Sequence, residues 1–488
     1  VIVTMLRKHG RPTLNEAQNE VQRFIEQRNK LSEQHLNKWG RTDLLGKDFQ
    51  KLYAKNPAKA LKAATIVENQ EKALKSIVKE NLYSTTFSPS LKPVHLLRAV
   101  FLGVANSKRS DIFTEIPLQT TDDILIYVQS TYASTLRGAT VGNRTYENVA
   151  PYYAGERYIV SLGNGNGTEK TFANNSINPV PLVPFTIKIL VNGGIVANDD
   201  GAGKLVGTAL SSGTVDYANG SISVTFGTAP AASASIVAEF QWDSERSDNY
   251  THYGVVDLEL VRTRFNARPM PLGYRISDMT RLMLSTTGIG DADEYLAMAI
   301  AQEHARAKDY KAIIDAKHIA LSNSVETFDA DFSIKGELSY KTHAQKLLFK
   351  IGQISASIYD TVKRGGVTHI VAGAQATEYM KLHDSWKSVS GDALTGVYQA
   401  GELDGKPVFT CPADNSLIAT NEALLIYRNP VELLDTSLVY GVLTELDASL
   451  RYPNFITEGN TCSVEDRKII DTRFIRMLQI TNLTSGKW

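Results

Sequence analysis

The residues with the most chemical promise in this 488-residue chain are two cysteines, nine histidines and two glycine-rich loops. Gly163-Asn164-Gly165-Asn166-Gly167-Thr168 has the glycine content of a loop that cradles phosphate. A Walker loop, however, places Lys directly after its last Gly and a helix behind it. Thr168 follows Gly167 and the flanks have strand character, so a hairpin tip is expected. Asn198-Asp199-Asp200-Gly201 lacks the alternating ligands and distal Glu of a calcium loop, and a surface turn is expected. His304 and His318 share one helix roughly four turns apart, without the close pairing that zinc needs. Cys411 and Cys462 are too few for a disulfide framework, match no zinc spacing and have no neighbouring His. No Gly-x-Ser-x-Gly elbow is present. No catalytic, cofactor-binding or metal-ligating residue is nominated, no cofactor is expected, and the expectation is a non-enzyme.

Composition narrows the classes further. The chain carries 52 basic and 52 acidic side chains, so its formal net charge is zero. That argues against a polybasic nucleic-acid binder and removes the repulsion that keeps copies apart. A 43% hydrophobic content excludes intrinsic disorder. No apolar run approaches the roughly 20 residues of a membrane span. Free thiols in a reducing compartment, a chain made in the cytoplasm and a processed or trimmed start at Val1 are expected.

The elements that would position any site begin with helices. Thr13-Leu14-Asn15-Glu16 is a capping box ahead of Val21, Phe24 and Ile25. A second helix is predicted from Asn56-Pro57, with the stripe Leu61, Ala64, Val67, Leu74, Ile77 and Val78. Lys38, Arg41, Lys47, Lys51, Lys55, Lys59 and Lys62 run through this region, as an arm near a polyanion or as solvated helix faces. Ile124 to Val128 has the pattern of a buried strand.

Between Gly155 and Glu245 the composition changes, with fewer charges and many more glycines. Short alternating runs (Phe185 to Val191, Ser221 to Phe226, Ser235 to Phe240) are separated by Asn192-Gly193, Asp200-Gly201 and Asn219-Gly220. Such spacing predicts a small antiparallel sandwich inserted into a host of another type. The host resumes with a long strand from Val255 running past Arg268-Pro269. A helix from Ala292 to about Ala320 follows, capped by Asp291 and carrying only a narrow apolar stripe. Lys341 to Lys363, Thr368 to Ala372 and Ala374 to Leu382 make a helix–strand–helix unit. Strands Pro407 to Cys411, Ala423 to Tyr427 and Phe474 to Thr481 complete an α+β host.

Several of these segments together resemble the major capsid proteins of tailed bacteriophages, most like those of large contractile-tailed phages, which share the Hong Kong 97-type shell fold. Gly290 to Leu296 is similar to the start of that family's spine helix, and Val261 to Leu282 to the elements that lead into it. Gly366 to Ala372 and Gly401 to Phe409 look like parts of its axial domain. Asp471 to Asn482 looks like its returning peripheral strand.

The resemblance implies an α+β Hong Kong 97-like fold with an inserted all-β, immunoglobulin-like sandwich. The implied layout is an N-terminal helical arm (1–92) and the start of the peripheral domain with the first strand of an extended loop (93–154). The insertion (155–245) follows, then the returning loop and spine helix (246–345), an axial domain (346–455) with a loop over Trp386 to Gly396, and returning peripheral strands (456–488). It further implies self-assembly into hexamers and pentamers of an icosahedral virion head, with scaffold, portal and decoration proteins as partners, non-specific contact with packaged double-stranded DNA, and no membrane. Two other readings are an encapsulin-type nanocompartment shell and a carbohydrate-active enzyme whose sandwich would stack sugars on Tyr217 or Trp242.

Overall fold

The computed structural model describes residues 29–42, 45–80, 93–147, 149–151, 153–155, 157–245, 253–287, 292–331, 340–389, 396–414, 417–429, 435–451 and 456–483. The Thr13 capping box, the Asp291 cap and most of the loop expected after Trp386 lie outside the described residues. The chain divides into two units, Val1–Tyr127 with Val261–Trp488, and Val128–Leu260.

The first unit opens with α1 (residues 29–39), α2 (Gly46–Lys55), α3 (Pro57–Glu80) and α4 (Pro93–Asn106). Pro57 stands at the first helical position, where a missing N–H leaves no bond unmade. Asn56 caps the helix, its Oδ1 accepting from Lys59 N at 3.1 Å. The described part of the region read as an N-terminal helical arm packs into a core. Trp39, Leu45, Phe49, Ala63, Ile66 and Val67 share a core with Leu97, Val100, Phe101, Val104, Ile300 and Val442. The reason lies in small residues: Ala60, Ala63 and Ala64 are fully buried and let α3 lie close to its neighbours. Those neighbours come from distant sequence, so no local pattern announces them. A short helix α5 (Arg109–Ile112), strand β1 (Thr114–Pro117) and strand β2 (Asp122–Tyr132) follow.

The second unit is β-rich. Its strands are β3 (Arg157–Asn164), β4 (Thr171–Asn174), β5 (Lys188–Val191), β6 (Gly194–Asp199), β7 (Leu205–Val206), β8 (Leu210–Asp216), β9 (Ser221–Phe226) and β10 (Ser235–Gln241). They form a five-stranded sheet, β3-β10-β5-β6-β7, and a three-stranded sheet, β4-β9-β8. Tyr158, Ile189, Ile236 and Phe240 from the first share a core with Phe172, Ile222, Val224 and Phe226 from the second. Strand β5 is shorter than the run Phe185 to Val191 suggests, because Phe185 takes a left-handed backbone with φ of 68°. Asn192 and Gly193, with φ of 50° and 81°, make the tight turn into β6.

The chain returns through β11 (Val256–Asn266), which pairs with β2. The long strand expected past Pro269 breaks at Ala267: β12 (Arg268–Ser277) leaves that ladder and pairs antiparallel with β20 (Ile456–Ile469), Arg268 opposite Glu465. Next come α6 (Asp278–Thr286), α7 (Ala292–Ser322), β13 (Val325–Asp329), α8 (Tyr340–Val362), β14 (His369–Gly373) and α9 (Ala374–Met380). The remaining strands are β15 (Trp386–Ser388), β16 (Tyr398–Leu403), β17 (Lys406–Cys411), β18 (Glu422–Ile426), β19 (Leu438–Arg451) and β21 (Ile475–Thr481). Trp386 to Ser388, expected in a loop, are an edge strand paired with β16.

Two sheets organise this unit. One has the order β1-β19-β20-β12, and the other β13-β21-β18-β14-β17-β16-β15. The seven-stranded sheet is covered on both faces, which period-2 alternation makes possible. Ile370, Ala372 and Leu425 join Ile351, Ile354 and Ile358 of α8 in one core. Val371, Leu424 and Ile426 join Ala312, Ile313, Ala316 and Ile319 of α7 in the other. Helix α7 has 31 residues without Gly or Pro and spans about 46 Å. Its first half packs in the core of α2 to α4 through Ile300 and Ala301, and its second half lies on the sheet. One rigid rod thus belongs to two cores.

Candidate functional site

The most chemically dense region lies against the middle of α7. Arg109 on α5 is completely buried, bonding Glu115 of β1 through Nε at 3.0 Å and through Nη2. Its Nη1 reaches Glu465 Oε2 of β20 at 2.6 Å. The guanidinium also lies 4.6 Å from the centre of the Tyr440 ring on β19. Tyr440 donates to Asp315 Oδ2 of α7 at 3.1 Å, and Asp315 pairs with Arg467. Lys311 reaches Glu465 Oε1 at 3.2 Å. Asp309 accepts from Ser107 Oγ at 2.7 Å, Arg109 N at 2.9 Å and Lys108 N at 3.0 Å. The long helix, the segment Ser107 to Arg109 and three strands therefore meet through charged and hydrogen-bonded side chains.

Burial and charge pull against each other throughout. Burial works against the charge on Arg109, but Glu465 and Glu115 hold it firmly protonated. Burial alone would raise Glu465; Arg109, Lys308 and Lys311 hold it at about 2 instead. Burial drags Lys308 down to about 8, with Glu465 and Glu115 opposing and Arg109 assisting. Lys62 of α3 is likewise lowered by burial to about 8. Burial and Lys308 bring His304 to about 4, so this histidine is neutral in the physiological range.

Asp309 and Lys108 border a pocket shared with Glu303 and Arg306, while Arg109, Glu115 and Glu465 lie wholly inside. Buried, mutually paired charges fix a single geometry, since losing one partner strands the other. The sequence reading missed it. The signal was present: Ala301, Ala305, Lys308, Ala312, Asp315 and Ile319 recur at helical spacing, and all are buried. Counting only the apolar members made the inner stripe of α7 look narrow.

The residues singled out from sequence separate cleanly. His304 is inside the cluster's neighbourhood while His318 is exposed. Burial pushes the Cys411 thiol up to about 12 and its Sγ donates to Pro412 O, so it is an inert core residue. Asn166 Oδ1 accepts from Thr168 N and Glu169 N, which makes the Gly163–Thr168 loop a side-chain-closed turn. Asp200 closes a similar turn on Ala202 N and Lys204 N, while buried Asp199 accepts from Tyr217 Oη at 2.6 Å. Trp242 is fully buried, and Tyr217 is partly buried against the sandwich core with its hydroxyl bonded to Asp199 and Gly203 N. Among the described residues of the second unit the most exposed ring is Phe185, 74% accessible, which sequence gave no reason to single out. Among the described residues no group of three His, Cys, Asp or Glu side chains could hold a metal ion.

The lysine-rich region is also partly consumed by the fold. Lys59 is buried and donates to Ser107 O at 2.7 Å, and Lys38 pairs with Glu68 at 2.7 Å. Arg41, Lys47, Lys51 and Lys55 remain exposed.

Outward-facing apolar residues form the second feature. On α6, Met279, Leu282 and Met283 are 62%, 58% and 58% exposed at i, i+3 and i+4. That helix is closed at its start by Ser277 Oγ, which accepts from Thr280 N at 3.1 Å. Exposed apolar stripes of this kind mark contact with other macromolecules.

No family model matches the chain, and no curated protein does. Solved structures do. The capsid of jumbo bacteriophage PhiKZ matches with a TM-score of 0.38 and 8% identity, over 78% of this chain and 93% of that one. The capsid of Myoviridae phage XM1 matches with a TM-score of 0.28 and 9% identity, over 66% and 89%. The chain resembles phage capsid proteins. The SrpI encapsulin of Synechococcus elongatus matches with a TM-score of 0.29 and 12% identity, over 46% of this chain and 77% of that one. At such identities the residue roles of phage capsid proteins do not transfer, and each role rests on this chain's own contacts. Among the described residues no helix is long and apolar enough to cross a membrane.

Proposed function

We propose that this chain is a major capsid protein, a subunit that assembles with copies of itself into the hexamers and pentamers of an icosahedral phage head around double-stranded DNA. The observation that carries the reading is the apolar stripe Met279, Leu282 and Met283 on a capped helix, facing outward from a subunit stiffened by α7. A shell subunit needs such contacts and a lever that does not bend between them. In a closed shell one patch is reused by symmetry many times, so contacts too small for a stable dimer suffice.

The finer layout follows the same reading. Helix α7 is the spine and α8 to β18 the axial domain; β19, expected within the axial span 346–455, pairs with β20 and joins β12 in the peripheral sheet, and β21, expected as a peripheral strand, pairs with β18 in the seven-stranded sheet. Strands β2 and β11 are the extended loop, with β3 to β10 as an inserted module at its end. The exposed Arg41, Lys47, Lys51 and Lys55 suit non-specific contact with phosphate, which would weaken with salt. Scaffold, portal and decoration proteins are the further partners, and the virion head the location.

Negative-stain microscopy of the purified protein after size exclusion tests this. Closed shells or hexameric rings are expected, with nuclease-sensitive nucleic acid inside those recovered from infected cells. A monomer or dimer that never assembles overturns the reading, and shells filled with protein cargo point to a nanocompartment.

A further inference from the structure

Helices α1, α2 and α3 meet around an open groove of about 520 Å³. Phe49 is its floor, and Leu36, Tyr53, Ala54 and Leu61 are its apolar walls. Phe49 is buried and Tyr53 is 49% exposed, so the lining runs from the core out to water. A Cβ at Gly46 would sit 2.8 Å from Gly40 O, so the turn that closes one end has no room for a side chain there. Arg41 stands exposed at that end of the rim. A shape that fits this groove is found on the same subunit. The nine-residue α6 exposes Met279, Leu282 and Met283 at i, i+3 and i+4, while Leu284 on its other side is half-buried. That spacing is how an amphipathic helix anchors in a hydrophobic groove, and Met side chains adapt to irregular walls. Asp278, in the first turn of α6, is exposed beside the stripe. Groove and stripe both face water in the same chain, so α6 does not fill the groove of its own subunit.

We propose that α6 of one copy lies in the α1–α3 groove of the next. The two surfaces differ, so the contact is heterologous: each copy gives its helix to one neighbour and takes a helix from another. Repeated with a fixed rotation, such a contact closes a ring, which is the symmetry of hexamers and pentamers. Met279, Leu282 and Met283 then lose their water against Phe49, Tyr53 and Leu61. Asp278 meets Arg41 across the rim, and this opposite-charge pair sets the direction in which the helix lies. Lys47, Lys51 and Lys55 do not line the groove, so another face of α2 is left to meet phosphate. The pairing names the partner surface of the α6 stripe, and it rests on the shell reading for bringing copies together in rings.

The test is a disulfide trap in the full-length protein, with Cys462→Ser as background. Tyr53→Cys and Leu282→Cys chains are made separately and mixed before assembly. Oxidation should link the mixture into dimers and leave each chain alone unlinked, since only unlike positions come within bridging distance. A chain carrying both cysteines should give a ladder that continues past the dimer, because its two surfaces serve different neighbours. Arg41→Asp should lower the trapped product about tenfold, and adding Asp278→Arg should restore it. A ladder that stops at the dimer, equal linking in the single-cysteine chains, or indifference to the charge reversal overturns the pairing. So does a Tyr53→Cys thiol that maleimide cannot reach in the unassembled subunit, which gives the groove to a segment of its own chain. Shells by microscopy without the mixed disulfide overturn the pairing and leave the shell reading standing. A ladder from a protein that forms only open filaments supports the pairing and removes the closed shell.

Discussion

Arg109 and Glu465 are separated by 356 positions in the chain and by 2.6 Å in the fold, with both side chains closed off from water. Their pairing ties α5, just after α4, to β20, an inner strand of the four-stranded sheet, and α7 lies against both. Arg109→Met removes the cation that Glu115 and Glu465 share and leaves two carboxylates buried without it. Loss of about 3–5 kcal/mol of stability is expected, as for other one-sided breaks of a buried pair. Denaturant titration of the purified subunit measures it. A loss below about 1 kcal/mol would mean that water reaches the site and the cluster does not hold the lever.

The same cluster makes stability depend on pH in two windows of known sign. Glu465 is held at about 2 in the folded chain against 4.5 for an ordinary glutamate. Its contribution is therefore complete above 4.5 and disappears as pH falls toward 2. Lys308 titrates at about 8 in the fold against 10.5 when exposed. Between those values the unfolded chain binds the extra proton, so stability rises with pH across that window. Unfolding midpoints from pH 7 to 10.5 for the parent and Lys308→Met should diverge: the parent gains relative to the variant. Parallel curves would show that Lys308 keeps its ordinary affinity for protons.

How much of this was legible in the sequence depends on the range of the interaction. Period and punctuation were enough for α7, α8 and strands such as His369–Gly373, where each residue's partner class is set by its own neighbours. The capping Asn56-Pro57 and the turn Asn192-Gly193 are local chemistry as well. The cluster was not legible, since nothing near Arg109 in sequence announces Glu465. On α7 the polar Lys308 and Asp315 occupy core positions of an otherwise regular stripe, and a hydrophobic count discards them. The packing of α3 was hidden for a related reason. Its contact residues are alanines, which carry little apolar signal but permit close approach to Phe101 and Ile300.

Gly365, which ends the region of α8, offers a sharper test of backbone chemistry. Its φ is +60°, and a Cβ there would sit 1.9 Å from Tyr427 Cε2. Tyr427 cannot retreat easily, because it is buried and its Oη donates to Asp435 Oδ2 at 2.9 Å. Gly365→Ala therefore meets both a disfavoured left-handed backbone, about 1 kcal/mol, and an overlap with a fixed ring. A total loss of about 3 kcal/mol is expected in denaturant titration. Tyr427→Ala in the same chain should recover the overlap component, seen as non-additivity in a double-mutant cycle. Strict additivity would place the whole cost in the backbone.

The α6 stripe separates folding from assembly. Met279, Leu282 and Met283 already face water in the isolated subunit, so replacing them removes little buried surface from the fold. Leu282→Asp should leave the thermal midpoint within a degree or two, as for surface substitutions generally. In an assembled shell the same carboxylate would be carried into an apolar contact and repeated at every copy. Even 1–2 kcal/mol lost per contact multiplies over a closed assembly, so the yield of particles should fall at least tenfold. Sedimentation velocity of parent and variant at equal concentration measures both species at once. A variant that unfolds tells against the stripe being solvent-facing. One that folds and still assembles at the parent's yield assigns the contact between copies to another face.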